Sequence, residues 1–541
     1  MSLTKVSYSM INGSPVNVLD YGADPTGIAD STAAIQAAID AASNVYIPTG
    51  TYIISDPGLF TKDGLRIYGD GKTKSIFQKK SNTTSTDELD PILRERFVGG
   101  LATPAYNITV ERLGFVGNAL TGIQTNKAAG LLRFYESYNV RVISCAFSYG
   151  RGYGMGFEGA LSSSISTRRG PNVDFYAEDC DIYENGRPEY LLGSDSDDGI
   201  DFKSCRRAVL VGCKSWRNGD KGYDFRAQNV TVIACHAWEN VGVGFSSSVE
   251  GVQSGATTSL PAAATFIGCW AHDNGGNGFV VVPQVTPSVV NGIQTTTFNS
   301  CTAYNNVHNY VVSSQGTNGL AVSRLVMSSC VSRDPTATYR HFIGSGPLQS
   351  LTMSGCLLFG GTANAISINA AQIGPVNING CTFENIGGTA ISGSTDADNH
   401  MNIAGNVFKD VDGPAVVGLS NMTVSGNTYE NINSTTLVSI TAGGVNNRIL
   451  DKAQGSRTVA SAATVTLTEI TDLIVISGTT NITSITASYA QRTVVLRFAD
   501  PLTVVNGNNL ILAGDFVTSN LDTLTLMCDG TDWYELSRSA N

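Results

Sequence analysis

Residues 213–245 read CKSWRNGDKGYDFRAQNVTVIACHAWENVGVGF, and one unit occurs twice within them, CKSWRN at 213–218 and CHAWEN at 235–240. The unit recurs along the chain. A small residue or Asp followed by Cys stands at Cys145, Cys180, Cys213, Cys235, Cys269, Cys301, Cys330, Cys356 and Cys381, and Asn takes the same slot at Asn406 and Asn427. The copies CDIYEN, CWAHDN, CTAYNN, CTFEN, NVFKD and NTYEN keep a small or apolar residue two positions on and an Asn or Asp four or five on. LGFVGN (113–118) reads as an earlier, degenerate copy. Intervals of 21–35 residues with strands of period two mean a solenoid. The LxxLxL pattern of leucine-rich repeats is absent. The repeat predicts a parallel β-helix in which each Cys is an inward rung residue about 4.8 Å from the next and each Asn belongs to an amide ladder at a turn. Nine cysteines then read as small buried side chains and not as metal ligands, because stacked thiols make no tetrahedral cage. Cys205 and Cys528 fall outside the series, and all eleven thiols read as reduced.

Composition agrees with an all-β chain rich in turns: Gly is high at 58, Pro low at 16, and charged residues make up only 15% of 541. A net charge of −11 argues against nucleic acid as a partner. No apolar run approaches the ~18 residues of a membrane span, and MSLTKVSYSMING lacks the apolar core of a secretion signal, so no membrane insertion and synthesis in the cytoplasm are expected. Asp30 or Ser31 caps an expected helix from Thr32 to about Ala42, with Ile35 and Ile39 on one face, suited to closing the open end of a stacked β-structure. Three segments follow: 1–60 as lead-in and cap, 61–453 as the β-helix, and 454–541, where Thr and Val alternate between turns, as a small β-sandwich.

VLDYGADPTG (18–27), DSTAAIQAAID (30–40), VYIPTGTY (45–52) and IYGDG (67–71), in this order, resemble the opening of the pectate-lyase-superfamily β-helix of phage tailspikes. TKVSYSMINGSPVN (4–17) resembles the lead-in of phage and prophage tail proteins, and TTNITSI, VVLRF and CDGTDWYELSRS resemble the C-terminal module of tailspikes. The resemblance implies a right-handed parallel β-helix, assembly as a homotrimer, a place on the virion tail, and a C-terminal module that trimerises or touches sugar. It further implies docking of the short N-terminus to another tail protein, and a bacterial surface polysaccharide (capsule, exopolysaccharide or O-antigen) as the partner.

The densest mixture of charge and large aromatics lies in 194–245. Alternation within the Cys units puts Lys214 and Trp216, His236 and Trp238, Trp270 and His272 on an outer strip, and rows of exposed aromatics suit the apolar faces of sugar rings. Aligning GIDFK, GYDFR, GFSSS and GFVVV puts Ile200, Tyr223, Phe245 and Phe279 inside. Asp201, Asp224, Ser246 and Val280 then stack outside, with Lys203 and Arg226 behind them. Two carboxylates on adjacent rungs, roughly 5 Å apart, cannot both ionise cheaply, so one is expected to hold a proton and serve as acid while the other serves as base. That spacing suits a retaining glycosidase; pairing with Asp195, Asp197 or Asp198 across the turn suits an inverting one. Candidate catalytic residues are therefore Asp198, Asp201 and Asp224. Candidate sugar-binding residues are Trp216, Trp238, Trp270, His236, Lys203, Lys214, Arg217 and Arg226. The competing reading is a solvated ladder in which the Asp residues pair with Lys203, Lys221 and Arg226.

SDSDDG (194–199) lacks the DxDxDG order of a calcium loop, the five His show no metal-ligand spacing, and no metal or cofactor is expected. The cations between Lys203 and Arg226 keep open β-elimination on a uronate, with Tyr190, Tyr223 or His236 as base. The coils also resemble mannuronan C5-epimerases, but Asp198 stands in the place of the Tyr of their YGxDP motif and Val243 replaces the His before Gly244–Phe245. Only Asp201 is retained, which argues against an epimerase. The expected function is endo-depolymerisation of a surface polysaccharide by paired Asp residues, with a polysaccharide lyase second and a non-catalytic polysaccharide-binding adhesin as the reading of another class.

Overall fold

The structure, a computed structural model, describes residues 14–541 apart from 81–90, 99–100, 119–129, 158–171, 188–196, 249–261, 283–292, 314–321, 335–339, 346–347, 369–373, 394–399, 419–420, 435–436, 441–446, 452–456, 468–472 and residue 489. Asp195 and Tyr190 lie outside the described residues, as does the side chain of Lys203. Two compact units divide the chain, 1–335 with 339–349, and 336–338 with 350–541.

The first unit is a parallel β-helix of three strands per coil. Strands such as Asn172–Glu178 and Asn229–Ile233 form the first side, Asp181–Tyr183 and His236–Trp238 the second, and Tyr223–Ala227 and Phe245–Ser248 the third. Each pairs in register and in parallel with its counterpart one coil on, as Val232 with Phe266, Ala237 with Ala271, and Tyr223 with Phe245.

The Cys slot has a conformational cause. The first and second strands meet at one left-handed residue, and it is always the residue before the slot: Ser144, Asp179, Ala234, Ser300 and Ser329 have φ between 48° and 53°, and Gly212 and Gly268 are near 60°. The left-handed region is uncommon for residues with a Cβ and most open to Gly, Asn and Asp, and the position before each Cys of the series is filled by Gly, Asp, Ser or Ala. The Cys that follows points inward and is fully buried, as are all eleven thiols, none of them in a disulfide.

A second left-handed residue precedes each Asn and turns the chain into the third side (Glu184, Arg217, Glu239, Asp273, Asn305). Here the predicted amide ladder is present. Asn185, Asn218, Asn240, Asn274 and Asn306 are buried, and each amide Nδ2 donates to the Oδ1 of the next at 3.2, 3.0, 3.0 and 2.9 Å. Inside the third side, Tyr223, Phe245, Phe279 and Tyr310 stack at centroid distances of 4.5, 4.9 and 5.1 Å. At the N-terminal end the helix Thr32–Ala41 buries Ile35, Ala38 and Ile39, and Asp30 Oδ1 accepts the Thr32 N–H at 2.9 Å.

In the second unit the Cys slot holds Cys356 and Cys381 and then Asn406 and Asn427. Asn406 Oδ1 accepts the Cys381 N–H at 2.8 Å, and Asn427 Oδ1 accepts Asn406 Nδ2 at 3.0 Å. From Arg457 to Ser539 the sheet is mixed: Arg457–Ala460, Leu473–Ser477 and Arg492–Phe498 run parallel, then Thr523–Cys528 and Trp533–Ser539 antiparallel. Its core buries Phe498, Leu526 and Trp533. Among the described residues no helix is long and apolar enough to cross a membrane.

The ladder predicts the stability of the coil. Replacing Asn240 by Ala leaves the buried Asn218 N–H without its acceptor and removes two further ladder bonds, Asn218 Nδ2 to Asn240 Oδ1 and Asn240 Nδ2 to Asn274 Oδ1. A loss of about 3 kcal/mol is expected, read as a lower guanidinium midpoint, whereas the exposed Lys214→Ala should stay within about 0.5 kcal/mol of the parent.

Candidate active site

The third side places the acidic residues. Asp201 of the strand Ile200–Val211 pairs directly with Asp224, and Asp224 with Ser246, so both carboxylates lie on the outer face on adjacent rungs, while Ile200, Tyr223 and Phe245 face the core. The stacking is as the alternation requires; the exposure is not. Asp198, Asp201 and Asp224 are 5%, 1% and 2% exposed. Lys221 and Arg226 form the more open edge of the cluster, with side chains 22% and 36% exposed. These carboxyls therefore do not form a solvated ladder.

Lys221 is the organising cation. It lies in the turn before Asp224, with its N–H donating to Asp198 Oδ1 at 2.9 Å. Its Nζ stands 3.4 Å from Asp198 Oδ1, 3.4 Å from Asp224 Oδ2 and 2.9 Å from Asp220 Oδ2. Arg226, two residues after Asp224 on the same face, donates to Asp224 Oδ2 at 3.0 Å. Asp197, Asp198 and Asp201 bring carboxylate oxygens within 4.8 Å of one another.

Environment splits these chemically identical groups. Burial, followed by the neighbouring charge of Asp224, pushes Asp198 well above the usual carboxylate range. Burial acts on Asp224 in the same sense, but the Lys221 and Arg226 charges, with hydrogen bonds from Arg226 and Ser246, outweigh it and hold that carboxyl below its ordinary value. The arrangement thus sets two identical carboxyls on either side of one ammonium group and shifts them in opposite directions, Asp198 up and Asp224 down. Lys221 is itself raised, since its acidic neighbours outweigh the cost of burial, so it stays charged at neutral pH.

The second side carries the aromatics, in two columns. Tyr183, Trp216, Trp238, His272 and Tyr304 stack face to face at 4.5, 4.8, 6.0 and 4.6 Å. Lys214, His236 and Trp270 form the other, with His236 and Trp270 stacked at 5.6 Å. Trp270, at 43% exposed, therefore shares a column with His236 and not with the other two tryptophans. Burial, then His272 and Lys214, lowers His236 and leaves it neutral. Arg217 sits in the left-handed turn residue, paired with Glu239 at 2.6 Å, so its charge is already engaged. Tyr223 faces the core, fully buried, with its hydroxyl donating to the His236 carbonyl at 3.3 Å, and it cannot meet a substrate. Sequence reasoning assigned Lys221 only to a surface ladder; its place three residues before Asp224 was the available signal of a bridging role.

Residues 15–132 match the family model described as Rhamnogalacturonase A/epimerase, pectate lyase-like, so this segment is a pectate-lyase-like domain. Mannuronan C5-epimerase AlgE1 of Azotobacter vinelandii is 31% identical over 133 residues, which cover 23% of this chain and 9% of that protein; the chain spans less than a tenth of this relative. A mutant tailspike protein of E. coli bacteriophage HK620, solved in complex with a hexasaccharide, is similar with a TM-score of 0.55 at 11% identity, covering 96% of this chain and 87% of that one. The N-terminal fragment of bacteriophage phi29 gene product 12 is similar with a TM-score of 0.52 at 14% identity, covering 88% and 80%. At these identities the likeness establishes the fold, a parallel β-helix like that of phage tailspikes.

The opposite shifts have opposite consequences for stability. Asp198, raised on folding, favours the folded state below its unfolded pKa near 4, and that contribution is lost as pH rises through the folded value; Asp224, lowered, contributes above its unfolded pKa and loses it as pH falls through the folded value. Asp198→Asn should therefore gain melting temperature relative to the parent as pH rises from about 5 to about 8. Asp224→Asn, which strips Lys221 and Arg226 of a partner, should be destabilised by roughly 2 kcal/mol throughout that range. Thermal melts of both variants across pH check the pair.

Proposed function

We propose that the protein is a virion-tail depolymerase that hydrolyses glycosidic bonds within a bacterial surface polysaccharide, acting as a homotrimer. The observation that carries this reading is the split pair: two buried carboxyls bridged by Lys221, Asp198 pushed above and Asp224 held below the ordinary carboxylate range. Asp198 protonates the glycosidic oxygen as the bond breaks. Asp224 then acts on the anomeric side, as base towards water or as nucleophile. Asp201, on the rung before Asp224, adds negative charge that keeps the Asp198 proton in place. On the second side Trp216 and Trp238 stack on each other and turn ring edges outward, an apolar strip for sugars beyond those held at the carboxyls.

Support for the polysaccharide class comes from the pectate-lyase-like segment, from the epimerase relative, and from the tailspike of the same fold solved with a hexasaccharide. In this account residues 61–453 bind and cut the polymer, and 454–541 serve trimerisation or further sugar contact. Elimination is the weaker reading because two of its candidate bases fail: Tyr223 is in the core and His236 lies on the other side of the coil, while Tyr190 lies outside the described residues.

The test is cleavage of a panel of host capsules, exopolysaccharides and O-antigens, with products identified by mass spectrometry. Asp198→Asn and Asp224→Asn should each cut the rate by about 10²–10⁴-fold while polymer binding is retained, and products should show no ultraviolet absorbance. Unchanged cleavage would remove the pair from the mechanism; an absorbing, unsaturated product would establish elimination; binding without cleavage by the parent would leave an adhesin.

A further inference from the structure

Three carboxyls surround the Lys221 ammonium, and the two assigned to the chemistry are not the ones nearest to it. Its Nζ is 2.9 Å from Asp220 Oδ2 and 3.4 Å from each of Asp198 Oδ1 and Asp224 Oδ2. A charge-assisted N–H···O bond is normally about 2.7–2.9 Å long, so the bond to Asp220 is a full one and the other two contacts are long. Asp220 also differs in setting. Its side chain is 39% exposed, against 7% for Asp198 and 3% for Asp224, so it stands at the mouth of the cluster. The ammonium is thus drawn outward by a carboxylate that is not one of the split pair.

The corner of the coil is built to keep Asp220 there. Its N–H donates to the Asp197 carbonyl at 2.9 Å and its own carbonyl accepts the Gly242 N–H at 2.7 Å, so its backbone is tied to the coil on either side. Its carboxylate lies over Gly242, where an added Cβ would fall 2.1 Å from Oδ1. Glycine at 242 leaves the space that the Asp220 side chain fills. The charged groups around Lys221 and Asp198 are Asp197 and Asp220 at the corner and Asp201, Asp224 and Arg226 on the third side. Arg226 holds Asp224 at 3.0 Å, so a move of Lys221 falls chiefly on Asp198. Burial, Asp224 and Asp201 are the larger reasons that Asp198 stands above the ordinary carboxylate range, and Asp220 adds to them.

We propose that Asp220 is a positioning residue: it holds the Lys221 ammonium towards the mouth of the cluster and so sets the pH range over which Asp198 can give a proton to the glycosidic oxygen. It acts through Lys221 and not on the reacting atoms. The part in catalysis rests on the hydrolytic reading; the hold on Lys221 does not. Neutralising Asp220 acts twice in one direction. A negative charge leaves the neighbourhood of Asp198, and Lys221 is released to settle between Asp198 and Asp224. Both changes favour the Asp198 carboxylate. Because Asp220 reaches water, its charge is partly screened and the effect is modest.

The test uses the whole protein and two readouts. Infrared difference spectra across pH, each protein against the same protein carrying Asp198→Asn, follow the Asp198 carboxyl alone and without substrate. Cleavage across pH of the host polysaccharide that the parent cuts gives the alkaline limb of the rate. Asp220→Asn should move the Asp198 titration, and the alkaline limb with it, to lower pH by about half a unit, a roughly threefold change in proton affinity. Asp220→Glu keeps the charge and should move both less. Asp174→Asn, which removes an equal charge from an exposed ion pair on the first side, should leave both where they are in the parent. An Asp198 titration that Asp220→Asn leaves in place or moves to higher pH, or that Asp174→Asn moves as far, would overturn the proposal. Cleavage that survives Asp198→Asn would sink the hydrolytic reading instead, and the titration would still decide whether Asp220 holds Lys221.

Discussion

Everything in the first unit depends on in-register parallel stacking. Each coil must repeat the path of the one before it so that backbone N–H and C=O groups pair rung to rung, and this converts any outward residue type into a column along the axis. The repeat is set by two left-handed turn residues per coil, one before the Cys slot and one before the Asn ladder. The buried amides turn the second of these into a hydrogen-bonded spine, each Asn satisfying the next. With the path fixed to this degree, function is written on the outer faces: aromatics on the second side, charge on the third.

Stacking is also what makes chemistry from a single residue type. Two Asp on neighbouring rungs and a third at the turn would repel one another in any medium, and more strongly in a buried site. The fold resolves the conflict by geometry. Lys221 and Arg226 are both close to Asp224 and stabilise its charge, whereas Asp198 shares only Lys221 and bears the field of the other carboxylates. An acid and a base result from position alone. The burial that raises Asp198 also accounts for the direction of its effect on stability, so the site trades some folding free energy for a proton held ready.

Much of this was legible in the sequence, and for a physical reason. Strand alternation has a period of two wherever no bulge or left-handed residue interrupts the strand, so assigning Cys213 and Cys235 inward places Trp216 and Trp238 outward, and assigning Tyr223 inward places Asp224 outward. The left-handed turn residue was visible as the small-or-Asp position, and Asn406 could be matched to the Cys slot although its chemistry differs. Burial was not legible. Alternation says which face a residue is on and nothing about what covers that face, so Asp201 and Asp224 were expected in water and are almost fully enclosed. Lys221 was expected as a partner of the Asp residues, but its bridging position between Asp198 and Asp224 was not, because it lies in a turn, where no periodicity assigns a direction. Trp270 falls in the column of Lys214 and His236, the first outward position of each Cys unit, and Trp216 and Trp238 in that of the second.

The central claim is that a neutral carboxylic acid at Asp198 sits beside an ionised Asp224 at neutral pH. Infrared spectroscopy of the protein in D₂O reads this directly, because a protonated carboxyl has a carbonyl band separate from that of a carboxylate. The account predicts that this absorption at pH 7 loses intensity in Asp198→Asn and keeps it in Asp224→Asn, on top of the contribution of Glu95, which burial pushes up to about 7. No protonated-carboxyl band at pH 7, or one removed by Asp224→Asn and untouched by Asp198→Asn, would contradict it.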